Sequence, residues 1–211
     1  MAKELFTAFL REIRPSDHKV LLEKFEQYYD WLLEENEKLN LISRKTDPET
    51  IWTLHFLDSL LSVRFVSLSG KHVLDFGTGG GFPGIPLAIL FGDAQITLLD
   101  SRKKKIQSVR AAAELLRLDN CRFLSSRIEE LPSSYNGVFD TVISRSVRMT
   151  PLYKKVIMRL LSSDGELVLY KSRNLEDVEL FSDAVIHDVS TSEIGERKII
   201  VIKKEQQIQN R

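Results

Sequence analysis

The sequence has little cysteine, glycine or proline and no long apolar segment, and each shortage excludes a class of protein. Its one cysteine, Cys121, excludes an internal disulfide framework and fits a reducing compartment. Ten glycines and six prolines among 211 residues exclude collagen-like and low-complexity chains. The longest apolar segment, near residues 84–91, is far shorter than the ~20 residues that a membrane helix needs. The N-terminal residues show no apolar leader followed by a cleavage site, so we expect a cytoplasmic protein without membrane contact.

The sequence also lacks net charge, because 30 basic residues balance 30 acidic ones. That balance excludes a generic polycation that coats nucleic acid. Two segments nevertheless carry cations and no acid, namely residues 102–110 and residues 141–163. They suit either an anionic partner or ordinary solvated helix faces, and charge alone slightly favours the solvated faces.

Residues 1–68 show apolar positions at helical spacing. Residues 17–39 predict one helix of this kind. The triplet Asp47-Pro48-Glu49 predicts the start of another helix, with proline at its first position. No segment here has the pattern of a strand in a parallel sheet, so we expect an N-terminal helical extension.

From residue 69 onward, short apolar runs alternate with helical patterns. The predicted strands are residues 72–76, 96–100, 122–124, 139–144 and 166–170. The predicted helices between them are residues 85–91, 102–118 and 151–161. This alternation predicts an α/β fold with a doubly wound, mostly parallel sheet over residues 69–204. Two late segments, residues 184–189 and 197–204, have no helix between them and predict an antiparallel hairpin at the sheet edge, before a polar tail at 205–211.

A glycine-rich turn follows the first predicted strand. Residues 77–84 contain five of the ten glycines and lead directly into a predicted helix. Glycine allows a tight turn and lets a ligand lie against bare main chain. This strand–turn–helix context predicts a nucleotide-type cofactor site. Asp100, at the end of the second strand, can accept both hydroxyl protons of a ribose.

Asp75, just before the first glycine, separates two cofactor classes. A dinucleotide places its pyrophosphate at the helix N-terminus, where a nearby carboxylate would repel it. S-adenosylmethionine has a sulfonium, an α-amino group and a ribose, which suit Asp75 and Asp100. We therefore favour a methyl donor over a nicotinamide cofactor, with a purely structural turn as a third interpretation.

Residues 75–89 resemble the signature of the RsmG (GidB) family of bacterial 16S ribosomal RNA guanine-N7 methyltransferases. The similarity extends over residues 40–204 and includes the motifs Asn40-Leu41-Ile42, His55-Phe56-Leu57-Asp58-Ser59-Leu60, Leu98-Leu99-Asp100-Ser101, Ser126-Arg127-Ile128-Glu129-Glu130, Ile143-Ser144-Arg145 and Gly195-Glu196-Arg197-Lys198. The sequence departs from the family pattern at Ser146, where alanine is usual, and at Ser172, where glycine is frequent.

The resemblance implies a fold, a reaction and a partner. The fold is a class I S-adenosylmethionine-dependent methyltransferase, Rossmann-like, with residues 1–68 as a helical cap and residues 69–204 as the methyltransferase domain. The reaction is methylation of guanine N7 in the 530 loop of 16S ribosomal RNA, position 527 in the usual RNA numbering. The implied partner is the small ribosomal subunit or its assembly intermediate, and we expect a monomer.

The resemblance and the turn together predict the site residues. Those expected to bind the donor are Asp75, Gly77, Thr78, Gly79, Gly81, Phe82, Asp100, Ser101, Ile128, Glu129 and Arg145. Arg145 is also expected to position donor and substrate without a general base, since guanine N7 has an exposed lone pair. A phosphate-contacting rim is expected from Lys103, Lys104, Lys105, Arg148, Lys154 and Lys171, with Lys155 beside them. We expect no metal site.

Three alternatives stay open on the sequence. One is a nicotinamide-dependent oxidoreductase, and a second is a noncatalytic RNA-binding protein on a methyltransferase fold. The third is a methyltransferase for another RNA, a protein or a small molecule. His55 and Asp58, three residues apart on a predicted helix, share a face and are interpreted as structural or pocket-lining.

Overall fold

The computed structural model describes residues 1–204. Its N-terminal part consists of two α-helices and a helical segment of mixed type. Helix α1 spans Ala2–Ile13 and helix α2 spans His18–Lys38, which confirms the helix predicted over residues 17–39. Helix α2 buries Phe25, Tyr28 and Leu32 on one face, and its other positions are largely polar. The predicted polar tail, residues 205–211, lies outside the described residues.

The segment predicted to be an ordinary helix from Asp47 onward is a helix of mixed type. It runs through a 3-10 turn at Pro48–Thr50, a π-helix at Trp52–Leu57, a short α-helix α3 at Asp58–Leu60 and a 3-10 turn at Leu61–Arg64. We call residues 48–64 the mixed helix. Its start is as predicted, since the Asp47 side chain accepts the N–H of Glu49 at 3.0 Å.

The π-helical turn is the part that the periodicity did not predict. The N–H of Asp58 donates to the carbonyl of Thr53, five residues earlier, as in π-helices. The wider turn lets Trp52 and Phe56 pack among the aromatic rings of α1 and α2, with Phe56 5.3 Å from the ring of Phe25. The same turn directs His55 and Asp58 toward the sheet, where they meet Arg145.

A seven-stranded sheet forms the centre of the molecule. Its strands are β1 His72–Phe76, β2 Gln95–Asp100, β3 Cys121–Ser125, β4 Phe139–Arg145, β5 Leu161–Lys171, β6 Val185–Asp188 and β7 Lys198–Lys203. The order is β3-β2-β1-β4-β5-β7-β6, with β1 to β5 parallel and β7 antiparallel to both of its neighbours. The predicted parallel sheet and its edge hairpin are therefore confirmed.

The connecting helices cover both faces of the sheet. Helices α4 Gly84–Leu90, α5 Lys103–Leu115 and α6 Pro151–Leu160 follow β1, β2 and β4, and shorter 3-10 turns lie at Ile128–Glu130, Ser133–Tyr135 and Glu176–Leu180. Alternate residues of β1 enter different cores, because side chains of a strand alternate between faces. Val73 belongs to the core that also contains residues of α1, α2, α4 and α5, while Leu74 belongs to the core that contains residues of α6. Cys121 is buried in the first of these cores.

The order of the strands reverses between β1 and β4. At such a point the connections leave in opposite directions, and a crevice opens at the carboxyl ends of the strands. The Ser144 hydroxyl donates to the carbonyl of Phe76 at 2.9 Å and fixes β4 beside the end of β1. Within residues 1–204, no helix combines the length and apolar character of a membrane span.

Candidate active site

The glycine-rich turn forms the floor of a cavity of about 600 Å³ at this crevice. Gly77 and Gly79 line the cavity with φ angles of +78° and +58°, a region that favours glycine. A Cβ atom on Gly77 would lie 2.6 Å from Cγ2 of Val147, so only bare main chain fits there. The cavity volume lies within the usual range of about 300–1,000 Å³ for small-ligand sites.

Helix α2 holds this turn in place. The Tyr28 hydroxyl donates to the carbonyl of Gly80 at 2.8 Å. Gly81, with a φ of +95°, faces that ring, and a Cβ atom there would lie 2.6 Å from the Tyr28 oxygen. Gly81 is not among the residues that line the cavity and packs closely behind the turn, so its contact with the donor stays a prediction.

Asp100 lies at the edge of the cavity, as predicted. Its Oδ2 accepts the N–H of Gly79 at 3.1 Å, and its two oxygens accept from Nε and Nη2 of Arg102, each at 3.0 Å. Burial alone raises the pKa of Asp100, but the hydrogen bonds from Arg102 and Gly79 outweigh it and hold the pKa below its usual value. The group is therefore an ionised acceptor of the kind that two ribose hydroxyls require.

Asp75 lies behind the turn rather than in the wall of the cavity. Its side chain is fully buried, and its part in donor binding stays a prediction. Its Oδ2 accepts the N–H of Gly84 at 2.9 Å and ties the turn to the start of α4. Burial raises the pKa of Asp75 to about 7. Hydrogen bonds from the Thr78 side chain and from the N–H of Gly84 act in the opposite direction and lower it.

The other residues expected to bind the donor share this cavity. Thr78, Phe82, Ser101, Ile128 and Glu129 all line it. The set combines a glycine cradle, an ionised carboxylate and apolar walls, which together fit S-adenosylmethionine. Within residues 1–204, no group of three His, Cys, Asp or Glu residues could hold a metal ion.

The helical extension supplies a wall that the site prediction omitted. Leu41 and Ile42 line the cavity opposite the sheet. Their N–H groups both donate to Oδ1 of Asn36, at 2.8 and 3.0 Å, which fixes the chain after α2. A sequence signal existed, because Leu41 and Ile42 belong to one of the motifs that carry the family resemblance.

Arg145 stands at the mouth of the cavity in a network of four partners. Its Nη1 donates to Oδ2 of Asp58 at 2.8 Å and to the carbonyl of Leu54 at 3.2 Å. Its Nη2 lies 3.0 Å from Nδ1 of His55, and its guanidinium lies 5.2 Å from the ring centre of Phe82. His55 and Asp58 are thus part of the site, since they hold Arg145 in position.

Two features of this network follow from its charges. Oδ1 of Asp58 accepts from Nε of Arg197 at 2.9 Å, so one carboxylate serves two arginines. Burial, assisted by the charges of Arg145 and Arg197, lowers the pKa of His55 to about 3 and keeps the ring neutral. Because a guanidinium only donates, Nδ1 of His55 accepts and the ring proton lies on Nε2. Arg197 is a site residue to which the sequence prediction assigned no role.

A second cavity of about 520 Å³ adjoins the first. The two cavities share the side chains of His55, Arg145, Ser146 and Val147 as a common wall. Ser146 has a φ of +62°, which is uncommon for a residue with a side chain and often marks a functional turn. The second cavity is also lined by Asp58, Arg148, Tyr170, Lys171, Ser172, Asn174, Asp177 and Arg197.

The predicted basic rim divides among several places. Lys103 and Lys104 are exposed at the start of α5, and Lys105 lines the first cavity. Arg148 lines the second cavity and lies 3.5 Å from the carboxylate of Glu176. These cations therefore lie at separate places around the two cavities, and their contact with phosphates stays a prediction.

Two lysines expected at the rim have other environments. Lys171 is nearly buried, forms an ion pair with Asp177 and donates to the carbonyl of Val147 at 3.2 Å, so its charge is already compensated. Lys154 lies along α6 and donates to the carbonyl of Leu180 at 2.6 Å, outside both cavities. Lys171 thus lines the second cavity as one partner of an ion pair, Lys154 lies outside both cavities, and the contact of either lysine with RNA stays a prediction.

This fold and site define a class I S-adenosylmethionine-dependent methyltransferase. An S-adenosylmethionine-dependent methyltransferase from Aquifex aeolicus has a similar fold, with a TM-score of 0.60 at 16% identity over 82% of this chain and 98% of that one. A predicted O-methyltransferase from Agrobacterium tumefaciens also gives 0.60, at 15% identity over 71% and 81% of the two chains.

The sequence comparisons identify the family within that class. The GidB family model, described as rRNA small subunit methyltransferase G, matches residues 21–205. The ribosomal RNA small subunit methyltransferase G of Bacillus licheniformis is 33% identical over 97% of this chain and 91% of its own length. The protein of that name in Geotalea uraniireducens is 36% identical over 83% and 80%. The chain belongs to the rRNA small subunit methyltransferase G family, and the oxidoreductase alternative is wrong.

Proposed function

We propose that the chain transfers a methyl group from S-adenosylmethionine to N7 of a guanine in the 530 loop of 16S ribosomal RNA, at position 527. The observation that carries this proposal is the pair of cavities that meet at Arg145, Ser146 and Val147. One cavity has the glycine turn and the carboxylate of Asp100, and the other has an arginine-rich wall. The names of the relatives support ribosomal RNA as the substrate.

The donor is held by the first cavity in this proposal. The Asp100 carboxylate accepts the ribose hydroxyls, and Ile128 and Glu129 flank the adenine. The main chain from Gly77 to Gly80 lies against the amino-acid part of the donor, with Thr78 in the same wall. When bound, the donor supplies an electrophilic methyl group on a sulfonium.

The second cavity receives the acceptor base. Guanine N7 carries a lone pair and loses no proton when methylated, so the chain needs no general base. His55 is consistent with a reaction that needs no base, because Nδ1 of its neutral ring already accepts a hydrogen bond from Arg145 and is not available to take a proton from the substrate. The task of the residues is alignment of N7 with the methyl group, and orientation of this kind supplies up to roughly 7–11 kcal/mol. Arg145 fixes the shared wall, and Arg148 on the open side contacts a phosphate.

The two parts of the chain divide this work. Residues 1–68 form a helical cap that supplies Leu41, Ile42, His55 and Asp58 to the site. Residues 69–204 form the methyltransferase domain with the glycine turn and Arg145. We propose that the chain acts as a monomer. The proposed partner is the small ribosomal subunit or an assembly intermediate, in the cytoplasm.

The test is methyl transfer to small subunits from a strain that lacks this modification. The protein is incubated with labelled S-adenosylmethionine, and the RNA is then cleaved with borohydride and aniline, which cut at N7-methylguanine. One cut in the 530 loop is the expected result, and subunits from the modified strain should take up no label. Label without that cut would overturn the target, whereas absence of label with wild-type protein and every small-subunit precursor would overturn the proposal.

A further inference from the structure

Besides the two cavities, a groove of about 1,040 Å³ runs along α6 on the side away from the donor cavity. Its floor is apolar and contains Met158, Leu180, Phe181 and Ile202. Its walls carry five cationic side chains and a single acidic one, Asp183. The cations are Lys154, Lys155, Arg159, Lys203 and Lys204.

None of the five cations forms an ion pair with a residue in the described part of the chain. Within residues 1–204, the side chains of Lys154, Arg159 and Lys204 donate to uncharged oxygens, for example Lys204 to the carbonyl of Leu161, and Lys154 also lies 5.4 Å from the ring centre of Phe181. None of these contacts is with a carboxylate. The side chains of Lys155 and Lys203 are exposed and have no hydrogen-bond partner within residues 1–204. A groove lined by one sign of charge concentrates its potential and attracts ligands of the opposite sign.

The groove lies close to the site of methyl transfer. Tyr153 lines the donor cavity and contacts the ring of Phe76 at 5.1 Å, while the next residue, Lys154, faces the groove. Helix α6 is therefore the wall between them, and a helix with its side chains is about 10–12 Å wide. Its cations in the groove, Lys154, Lys155 and Arg159, extend over about 7.5 Å along the helix axis, and Lys203 and Lys204 add two more at the end of β7.

We propose that this groove binds the phosphate backbone of ribosomal RNA at a segment distinct from the nucleotide that is methylated. The inference rests on the RNA substrate proposed above. A nucleic acid suits a groove lined by five cations, because each phosphate contact releases counterions and adds affinity without reading sequence. The groove would then lower KM for the ribosomal substrate and leave the chemical step unchanged.

The test reverses the two exposed cations that lack partners, in the double variant Lys155→Glu, Lys203→Glu. The matched control is Lys19→Glu, Lys24→Glu, which makes the same change of charge on α2, over the opposite face of the sheet. Affinity for small-subunit RNA is measured against salt concentration, together with kcat, KM and the affinity for S-adenosylhomocysteine. The affinity for S-adenosylhomocysteine reports on the fold and on the donor cavity of each variant.

The groove variant should bind RNA at least about tenfold more weakly, with KM raised, kcat kept and S-adenosylhomocysteine affinity unchanged. The slope of log affinity against log salt should become shallower by about 1.4, for two lost contacts to a single strand. The control variant should keep most of the wild-type affinity and slope.

Several results would overturn the inference. An equal loss of RNA affinity in the groove variant and the control variant would assign the effect to the net charge of the protein. An unchanged KM and salt slope in the groove variant would show that the cations of the groove are only solvated and do not bind RNA. If naked RNA bound normally while intact subunits bound weakly, the groove would instead hold an acidic protein segment. In each of these cases wild-type methylation would still support the proposed function, whereas wild-type protein that neither bound nor methylated RNA would overturn both proposals.

Discussion

Asp58 and Arg145 form an ion pair of 2.8 Å that joins the mixed helix to the carboxyl end of β4. Both side chains are nearly buried, with exposed fractions of 4% and 15%. The second oxygen of Asp58 accepts from Arg197, just before β7, so one carboxylate connects three separate parts of the chain. The arginine at the mouth of the donor cavity is therefore positioned from outside the sheet.

The substitution Asp58→Asn should weaken both activity and stability. The asparagine side chain would keep the volume but leave Arg145 and Arg197 without their shared negative charge. Removing one partner of a buried pair costs about 3–5 kcal/mol, and some of this is recovered here because the arginines keep other partners. We expect the free energy of unfolding to fall by about 2 kcal/mol or more in urea, and kcat/KM to fall at least about tenfold.

Glu12→Gln is the matched control for this variant. Glu12 also pairs with an arginine far along the chain, Arg64 at 3.0 Å, but its side chain is 63% exposed. Exposed pairs contribute about 0–1 kcal/mol, so this change should have little effect on either measurement. Equal losses in the two variants would contradict a special role for Asp58.

Gly77→Ala should abolish tight donor binding. The new Cβ would lie 2.6 Å from Cγ2 of Val147, in the wall that the two cavities share. Either the turn or Val147 must move, and both line the cavity. We expect the affinity for S-adenosylhomocysteine, measured by calorimetry, to fall at least about tenfold, since even a small displacement removes contacts to the ligand.

The control for Gly77 is Gly70→Ala. Gly70 has a similar φ of +68°, so alanine there meets the same backbone strain of about 1–2 kcal/mol, but nothing lies within 4 Å of its new Cβ. Both variants should lose stability, and only the change at Gly77 should also lose donor affinity. If Gly70→Ala weakened donor binding equally, the effect of Gly77→Ala would come from backbone strain rather than from the steric clash of its Cβ with Val147.

The local parts of this structure were predictable from the sequence because they depend on local patterns. Alternating apolar runs predicted the parallel strands, and the position of the glycines between a strand and a helix predicted the floor of the donor cavity. Asp100 was predictable for the same reason, since the ends of neighbouring parallel strands meet at one edge.

Contacts between distant residues could not be predicted in this way. Asp58 and Arg197 are 139 positions apart, and no periodicity relates them. The side-chain direction of Asp75, behind the turn rather than into the cavity, depends on its bond to Gly84. Likewise, Lys154 follows β4 in sequence but lies on the far face of α6, which only the packing of that helix determines.

Asp100→Ala should weaken donor binding by about 100-fold. Without the carboxylate, the ribose hydroxyls of the donor would lose two hydrogen bonds, and a hydrogen bond to a charged group contributes about 1.5 kcal/mol or more. Arg102, which pairs with Asp100, is largely exposed and stays solvated, so the fold should persist. Calorimetry with S-adenosylhomocysteine checks this, with the exposed Asp119→Ala as control, and unchanged affinity in Asp100→Ala would remove its proposed role at the ribose.

His55 should make the protein less stable as the pH falls below about 6.5. Burial and the charges of Arg145 and Arg197 lower the pKa of His55 to about 3, against 6.5 for the free side chain. Between these values the unfolded chain binds more protons than the folded one, so the free energy of unfolding rises with pH and reaches its full value above about pH 6.5.

The variant His55→Gln removes this titration and keeps an acceptor for Arg145. Urea unfolding of both proteins at intervals from about pH 7 to pH 4 measures the difference in stability. The advantage of the wild type should shrink as the pH falls, by up to about 1.4 kcal/mol per pH unit. Asp75, whose pKa is raised to about 7, changes stability in the opposite direction, but it is present in both proteins and cancels in the difference. Parallel curves for the two proteins would contradict a buried, neutral His55.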